Sequence, residues 1–169
     1  MRRVSYFLLS FLVCSGAYAT ASDSRVPIKI SSNSATIDLE AGEATYNGNV
    51  VAMQGARKLT GNALTVHRGS NGKIESFKAE GSPAKTQDRP SPNAKMAYGQ
   101  AQTIYYFPEQ GLVKYVNDAK FTQGGNVFSG DLITYNTKTE VVSSPKTKKG
   151  SGTTTIILPA YDNKDQAAS

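Results

Sequence analysis

Apolar and polar residues alternate with a two-residue period along most of the chain after residue 26. Ile28 and Ile30 fall on one side of such a stretch, while Lys29 and Ser31 fall on the other. This period is that of a β-strand with one buried and one solvated face. The alternating stretches cover 27–31, 34–40, 59–67, 94–107, 112–135 and 153–158. They predict a chain built mainly from strands.

Residues that favour turns separate the alternating stretches. Asn47-Gly48 is typical of a tight turn or bulge, and Gly69-Ser70-Asn71-Gly72 is typical of a hairpin loop. No helical period is sustained after the first 19 residues. We therefore predict an all-β fold of about a dozen short strands, at the spacing of sandwiches, barrels and jellyrolls.

One long stretch, Tyr46–Val66, occurs a second time as Tyr115–Tyr135 without a gap. Gly61 matches Gly130, which sets the offset at 69 positions, and apolar positions match apolar ones. Self-similarity of this kind indicates equivalent structural units. We interpret the two copies as cross-sections of one elongated β structure, and we expect Gly61 and Gly130 to turn the chain into the strands that follow them.

Large apolar side chains recur on the predicted inner side of the strands. This interior row consists of Ile28, Ile30, Ile37, Leu39, Leu64, Val66, Ile104, Tyr106, Phe121, Ile133 and Tyr135. Two interpretations fit it. The row forms either the ordinary core of a closed sandwich or the lining of a groove for acyl chains in a sheet that stays open along one seam. A groove would gain about 0.8 kcal/mol for each acyl CH₂ that it buries.

The first 19 residues have the pattern of a cleavable signal peptide. Arg2 and Arg3 precede a short apolar run at 7–13, and Ala17 and Ala19 occupy the small-residue positions of a cleavage site. An uncleaved anchor is less favoured because a spanning helix needs about 20 apolar residues. We predict a signal at 1–19, a flexible lead at 20–25, one domain at 26–159 and a polar, disordered tail at 160–169.

Composition argues against several kinds of site. Cys14 is the only cysteine and lies in the predicted signal, so the exported chain has no disulfide framework. His67 is the only histidine, whereas zinc needs three or four suitable ligands. We therefore expect no metal, no cofactor and no catalytic triad, and we expect that the protein is not an enzyme. Without the signal the chain has 17 basic and 13 acidic residues, a net charge of +4 that suits anionic lipid headgroups. Few aromatic residues lie near the lysines, so nucleic-acid binding is not indicated.

Short motifs spread along the chain resemble the OstA-like family. They are Pro27-Ile28-Lys29-Ile30, Tyr46-Asn47-Gly48-Asn49-Val50, Leu59-Thr60-Gly61-Asn62-Ala63-Leu64, Gly81-Ser82-Pro83-Ala84 and Gly130-Asp131-Leu132-Ile133-Thr134-Tyr135. Each motif alone is short, but together they cover about 26–159 in the family's order and spacing. Thr86 and Gln87 depart from the pattern, which is more apolar there, so we leave them out of the interior row.

The resemblance implies a twisted, slightly open antiparallel β-jellyroll whose copies stack end to end. It implies a periplasmic protein that carries lipopolysaccharide from the inner to the outer membrane, with the acyl chains along the interior row. The implied partners are lipopolysaccharide, an LptC-like inner-membrane protein, an LptD-like outer-membrane protein and further copies of the chain. Unpaired edge strands suit strand addition. We assign the interface edges to Ile28, Lys29, Ile30, Thr155, Ile156 and Ile157.

Two other interpretations stay open. If the N-terminal segment is retained, the chain is a membrane-anchored component of the LptC kind. If the interior is a closed core, the chain is a structural or adhesive β module that binds no lipid.

Overall fold

A single antiparallel sheet makes up the fold. A computed structural model describes residues 26–145 and 153–159. Its ten strands are β1 Lys29–Ser31, β2 Ser34–Asp38, β3 Glu43–Gln54, β4 Arg57–Arg68, β5 Ile74–Asp88, β6 Ala97–Phe107, β7 Leu112–Gln123, β8 Asn126–Asn136, β9 Val141–Ser143 and β10 Thr155–Ile157. The predicted signal, lead and tail lie outside the described residues. None of the described residues belongs to a helix that is long and apolar enough to cross a membrane.

The strands follow one another across the sheet in chain order. β3 to β8 occupy the middle, β1 and β2 both pair with β3, and β9 and β10 both pair with β8. The sheet is therefore not closed, because no ladder joins its two ends within the described part of the chain. This arrangement confirms the prediction of an open all-β fold.

The six central strands are longer and fewer than the sequence pattern predicted, at 11 to 15 residues each. Turn-type residues misled the prediction, because several of them lie inside strands. Gly61 lies within β4 and Gly130 within β8, so neither glycine begins a strand. The ladders shift register nearby, for example between Asn47 and Val50 of β3. Such a bulge bends a strand instead of ending it.

These bends fold the sheet into two facing layers. The first layer holds 34–47, 63–80, 103–116 and 132–143, and the second layer holds 29–31, 50–60, 84–100, 119–130 and 155–157. The hydroxyls of Tyr115 in the first layer and Thr86 in the second lie 2.7 Å apart. Arg57 of the second layer donates a hydrogen bond to Tyr106 of the first. The layers are continuous at the bends, and we call the opposite side, where the hairpins lie, the mouth.

Side-chain size follows the distance between the layers. Along the bends, where the layers converge, Val50, Ala84, Ala101 and Ala119 are buried. Farther from the bends, larger side chains fill the space. The largest fully buried ones are Tyr115, Tyr135, Phe121, Leu64, Ile104 and Ile133. The core is therefore a wedge that widens toward the mouth.

The sequence repeat corresponds to two hairpins of the same shape, β3–β4 and β7–β8. In the first, Gly48 and Asn49 have φ of 77° and 48° inside the bulge. In the second, Asn117 and Asp118 occupy the matching positions with φ of 63° and 50°. The hairpins lie on either side of β5–β6, so the repeat is structural as well as sequential.

Candidate functional site

Apolar side chains line the inner faces of both layers in rows that cross the strands. The first-layer row joins Ile37, Ala44, Val66, Phe77, Tyr106, Val113, Tyr135 and Val142. The second-layer row joins Ile30, Ala52, Leu59, Thr86, Gly99, Phe121, Phe128 and Ile156. Residues directly opposite each other on paired strands share a face. Each row is therefore continuous from one edge of the sheet to the other.

Most residues of the predicted interior row lie together between the layers. Leu64, Val66, Ile104, Phe121, Ile133 and Tyr135 are buried. Ile28, Ile30 and Tyr106 are partly buried and pack against that core. The ring centroids of Phe121 and Tyr135 are 4.6 Å apart, which shows how closely the two layers approach.

The structure corrects the expected burial of Ile37 and Leu39, whose exposed fractions are 60% and 89%. Leu39 follows the end of β2, where the Asp38 carboxylate accepts backbone N–H bonds from Glu40 and Ala41. This turn directs the chain away from the interior. Ile37 pairs with Ala44 and so lies on the inner face, but its strand is at the edge of the sheet and nothing in the described chain covers it.

Several interior residues were absent from the sequence prediction. Phe77 and Tyr115 are buried, and Phe128 and Leu59 pack against the core. The repeat carried a usable signal for two of them, because it matches Leu59 with Phe128. Thr86, excluded as too polar, is on the inner face, where its hydroxyl meets that of Tyr115.

Gly99 makes room for the Tyr115 ring. A Cβ built at Gly99 would overlap a ring carbon of Tyr115, far inside contact distance. The ring therefore occupies the position of the missing side chain, and the two layers touch at this point. Only glycine permits this contact without a shift of the ring.

A polar cluster lies at the mouth of the otherwise mainly apolar interior. The Arg57 Nη2 atom is 3.1 Å from Asp88 Oδ2 in the second layer. The same guanidinium donates a hydrogen bond to the Tyr106 hydroxyl and lies 4.7 Å from the centre of that ring. Asp88 is 7% exposed, and its Oδ1 atom accepts no hydrogen bond from the described residues. We call Arg57, Asp88 and Tyr106 the mouth cluster, since it joins the two layers.

The interior is closely packed around the mouth cluster. Two cavities next to the mouth cluster enclose about 30 Å³ each. That volume suits one or two water molecules, whereas sites for small organic ligands usually have about 300 Å³ or more. An acyl chain that passes this point would therefore require the layers to move apart, whereas a pocket of about 380 Å³ lies beside Phe128 and Val142 at the β8–β9 end.

Burial changes the acidity of two interior tyrosines. Desolvation raises the pKa of Tyr115 well above its ordinary value, against the opposing effect of the hydrogen bond with Thr86. Desolvation also raises the pKa of Tyr135 to about 12, with a further contribution from the Glu140 carboxylate. Both side chains are thus neutral at physiological pH, as an apolar interior requires.

The other candidate chemistry lies at the surface. The His67 Nδ1 atom is 3.4 Å from Glu43 Oε2, and both side chains are more than two-fifths exposed, at 48% and 43%. Among the described residues, no group of three or more His, Cys, Asp or Glu side chains could hold a metal ion.

Both predicted interface edges lie at ends of the sheet. Lys29 and Ile30 belong to β1, and Ile28 directly precedes it. Thr155, Ile156 and Ile157 form β10. Within the described chain, each of these strands pairs on one side only, β1 with β3 and β10 with β8.

Known proteins share this architecture. The family model for "LptA/(LptD N-terminal domain) LPS transport protein" matches residues 29–141. The lipopolysaccharide export system protein LptH of Pseudomonas aeruginosa is 38% identical over 137 residues, covering 81% of this chain and 78% of LptH. LptA of Escherichia coli K12 is 30% identical over 156 residues, covering 89% of this chain and 83% of LptA. The chain therefore belongs to the LptA/LptD N-terminal domain family of lipopolysaccharide transport proteins, as its OstA-like motifs predicted.

A solved structure supports the same assignment. The crystal structure of Pseudomonas aeruginosa LptH superimposes with a TM-score of 0.76 at 32% identity, covering 82% of this chain and 99% of that chain. LptH is described there as the LptA-homologous periplasmic component of a conserved lipopolysaccharide transport device. The β-jellyroll predicted from the sequence is thereby confirmed.

Proposed function

We propose that this protein is a periplasmic carrier of lipopolysaccharide that forms part of a bridge between the inner and outer membranes. One observation carries the proposal. The first-layer and second-layer rows cross every strand between them and reach both edges of the sheet, where Ile37 and Ile156 are exposed. An apolar surface that runs edge to edge suits cargo that passes from one molecule to the next. A closed core has no need of such exposed ends.

Acyl chains enter the interior when the two layers separate at the mouth. Separation breaks the hydrogen bond between Arg57 and Tyr106 and exposes apolar side chains to the cargo instead of to water. Each acyl CH₂ buried there contributes about 0.8 kcal/mol. A chain of about ten carbons would thus gain several kcal/mol, which offsets part of the packing between the layers that separation disrupts. The sugars stay outside the mouth, in water.

The edge strands supply the connections of the bridge. An unpaired strand edge is a template for strand addition by another chain. β1 would pair with an LptC-like protein of the inner membrane or with the β10 edge of another copy. β10 would pair with a further copy or with an LptD-like protein of the outer membrane. The chain acts as a conduit and catalyses no reaction, so the energy for transport comes from another component.

A photocrosslinking scan in cells tests the proposal. Photoreactive residues replace Ile30, Tyr106 and Tyr135 on the inner faces, with Thr65 and Lys78 on the outer face of the first layer as controls. We expect crosslinks to lipopolysaccharide at the inner positions only. Crosslinks at the two controls without any at the inner positions would refute an interior lipid path.

The close packing of the interior favours a second candidate, a structural or adhesive module with a permanent core. In that case the cavities of about 30 Å³ never enlarge, purified protein binds no lipopolysaccharide, and it stays monomeric. Sedimentation with and without lipopolysaccharide separates this candidate from the bridge, which requires both binding and association.

A further inference from the structure

The outer face of the second layer carries lysines and no carboxylates over two neighbouring rows. One row joins Lys29, Met53, Lys58, Gln87, Tyr98, Thr122, Val127 and Ile157. The next joins Ser31, Val51, Thr60, Lys85, Gln100, Lys120, Ser129 and Thr155. These two rows therefore carry four positive charges and no negative charge, among polar side chains and a few exposed apolar ones such as Met53 and Tyr98.

Three of these lysines line a groove. It has a volume of about 400 Å³, and Lys58, Lys85 and Lys120 project along it from β4, β5 and β7. Lys85 and Lys120 both stand in one row with Gln100 between them. Two strand spacings separate their Cα atoms by about 10 Å. Hydroxyl and amide groups of Thr60, Thr122, Gln87 and Gln100 add further hydrogen-bonding capacity. We call this the lysine groove.

The charges of the lysine groove are not balanced inside the described part of the chain. Its ion pairs involve Arg57, His67 and Lys78 instead. Like charges about 10 Å apart repel one another, weakly in water and more strongly beside a protein surface. A ligand with several negative charges would relieve this repulsion at all three sites together.

The groove begins next to the mouth. Lys58 directly follows Arg57 of the mouth cluster, and Gln87 directly precedes Asp88. Successive strand residues are about 3.3 Å apart and point to opposite faces. Arg57 and Asp88 thus face the mouth while Lys58 and Gln87 face the groove on the other side of the same rim. A headgroup that leaves the mouth reaches the groove by bending over this rim.

We propose that the lysine groove binds the phosphorylated sugar headgroup of the lipid whose acyl chains occupy the interior. The inference rests on the proposed function, and it adds a second, polar binding surface on the outer face of the sheet. The positive lysines attract the phosphate groups. Because the groove lies beside the mouth, it can bind the headgroup of a lipid whose acyl chains are already inside. The groove would fix the orientation of the cargo, and the interior would supply most of the affinity.

Binding measurements on the full mature chain test this assignment. The variant Lys58→Gln/Lys85→Gln/Lys120→Gln removes the groove charges, and Lys58→Arg/Lys85→Arg/Lys120→Arg keeps them. Lys73→Gln/Lys78→Gln/Lys138→Gln removes equal charge from the first layer and its hairpins. The probes are lipopolysaccharide with intact phosphates, the same lipopolysaccharide after removal of its phosphates, and phosphatidylglycerol vesicles.

We expect the glutamine variant of the groove to bind phosphorylated lipopolysaccharide about tenfold more weakly than the wild type, since three exposed lysine–phosphate ion pairs can no longer form. It should bind the dephosphorylated form as the wild type does, and salt should weaken its binding less. The arginine variant and the first-layer variant should bind as the wild type does.

Three results would overturn the assignment. The glutamine variant could bind phosphorylated lipopolysaccharide normally, which leaves the groove without a role in binding it. It could lose equal affinity for the dephosphorylated form or for the vesicles, which indicates a general effect on folding or on any anionic surface. Finally, the wild type could bind neither form of lipopolysaccharide, in which case the proposed function fails as well.

Discussion

Tyr115 and Tyr135 are the two largest fully buried side chains, and they differ in what their hydroxyls contact. The Tyr115 hydroxyl lies 2.7 Å from that of Thr86. The Tyr135 hydroxyl is buried and has no hydrogen bond of good geometry among the described residues, only a weaker interaction with the Gln123 side chain. A satisfied buried hydroxyl contributes modestly to stability, whereas an unsatisfied one costs its full desolvation. The two tyrosines should therefore respond differently to loss of the hydroxyl.

Removing each hydroxyl tests this contrast. Tyr115→Phe leaves the Thr86 hydroxyl unpaired, so the free energy of unfolding should fall by about 1 kcal/mol. Tyr135→Phe removes a hydroxyl that interacts only weakly with Gln123, so the free energy of unfolding should stay unchanged or rise by up to about 1 kcal/mol. Urea unfolding at pH 7 measures both. Equal destabilisation by the two substitutions would contradict the assigned roles of the hydroxyls.

Alkaline pH should destabilise the protein through Tyr135. Its pKa is about 12 in the folded chain and about 10 in the unfolded one. Between these values the unfolded chain has released the proton and the folded chain still holds it, so stability falls as pH rises. The stabilisation is fully present below pH 10 and is lost progressively as pH rises toward 12. Urea unfolding of the wild type and of Tyr135→Phe across this range checks it, because the variant should lose less. Parallel losses would contradict the prediction.

Alternation predicted which side of a strand faces inward, but not how deeply a side chain is buried. It placed Leu64 and Ile133 correctly because central strands have neighbours on both sides. It failed for Leu39 because a side chain–backbone turn ends β2 one residue earlier. The sequence pattern could not predict that Thr86 and Gly99 lie on the inner face, since both positions depend on contact with Tyr115 from the other layer.

At the scale of elements, the repeat predicted two strand pairs of the same shape, although the role of individual residues within them was misread. Two hairpins with the same bulge and the same positive-φ pair lie at either side of the sheet. Sequence reasoning interpreted glycines near these bulges as strand boundaries, because a residue that ends a strand and one that bends it look alike. Only the ladder, which resumes after each shift of register, distinguishes the two. For the described residues the predicted count of strands was therefore too high, while the match between the two copies was right.

The bulge of β7 provides a test with a built-in reference. Asn117 is exposed with φ of 63°, and the matching residue of β3 is Gly48. Asn117→Gly should leave the free energy of unfolding within about 0.5 kcal/mol of the wild type, since glycine tolerates positive φ. Asn117→Val should lower it by about 1–3 kcal/mol, since a β-branched residue is strained there. Thermal unfolding compares the two variants. If Asn117→Val is as stable as the wild type, the backbone of the bulge can relax and the prediction is wrong.

The whole molecule combines a packed wedge with apolar rows that reach both edges. The sequence alone left open whether the interior is a core or a lipid path, because both need the same alternating pattern. Membership of the lipopolysaccharide transport family favours the path. The close packing around the mouth cluster adds a physical condition, since cargo must part the layers to pass it. This condition arises from contacts between layers, which no single-strand pattern encodes.

Association through the edges is the last consequence of the open sheet. Ile156 is 54% exposed in β10, which pairs only with β8 within the described chain, and it ends the second-layer row. Natural sheets keep edges apart with lysine, so Ile156→Lys should reduce or abolish growth into longer species. Leu39→Lys is the matched control, because Leu39 is 89% exposed but lies outside any strand. Sedimentation at rising protein concentration should show the wild type and the control forming longer species while Ile156→Lys stays smaller. A wild type that remains monomeric at every concentration, or an Ile156→Lys variant that associates equally, would mean that β10 is not the joining edge.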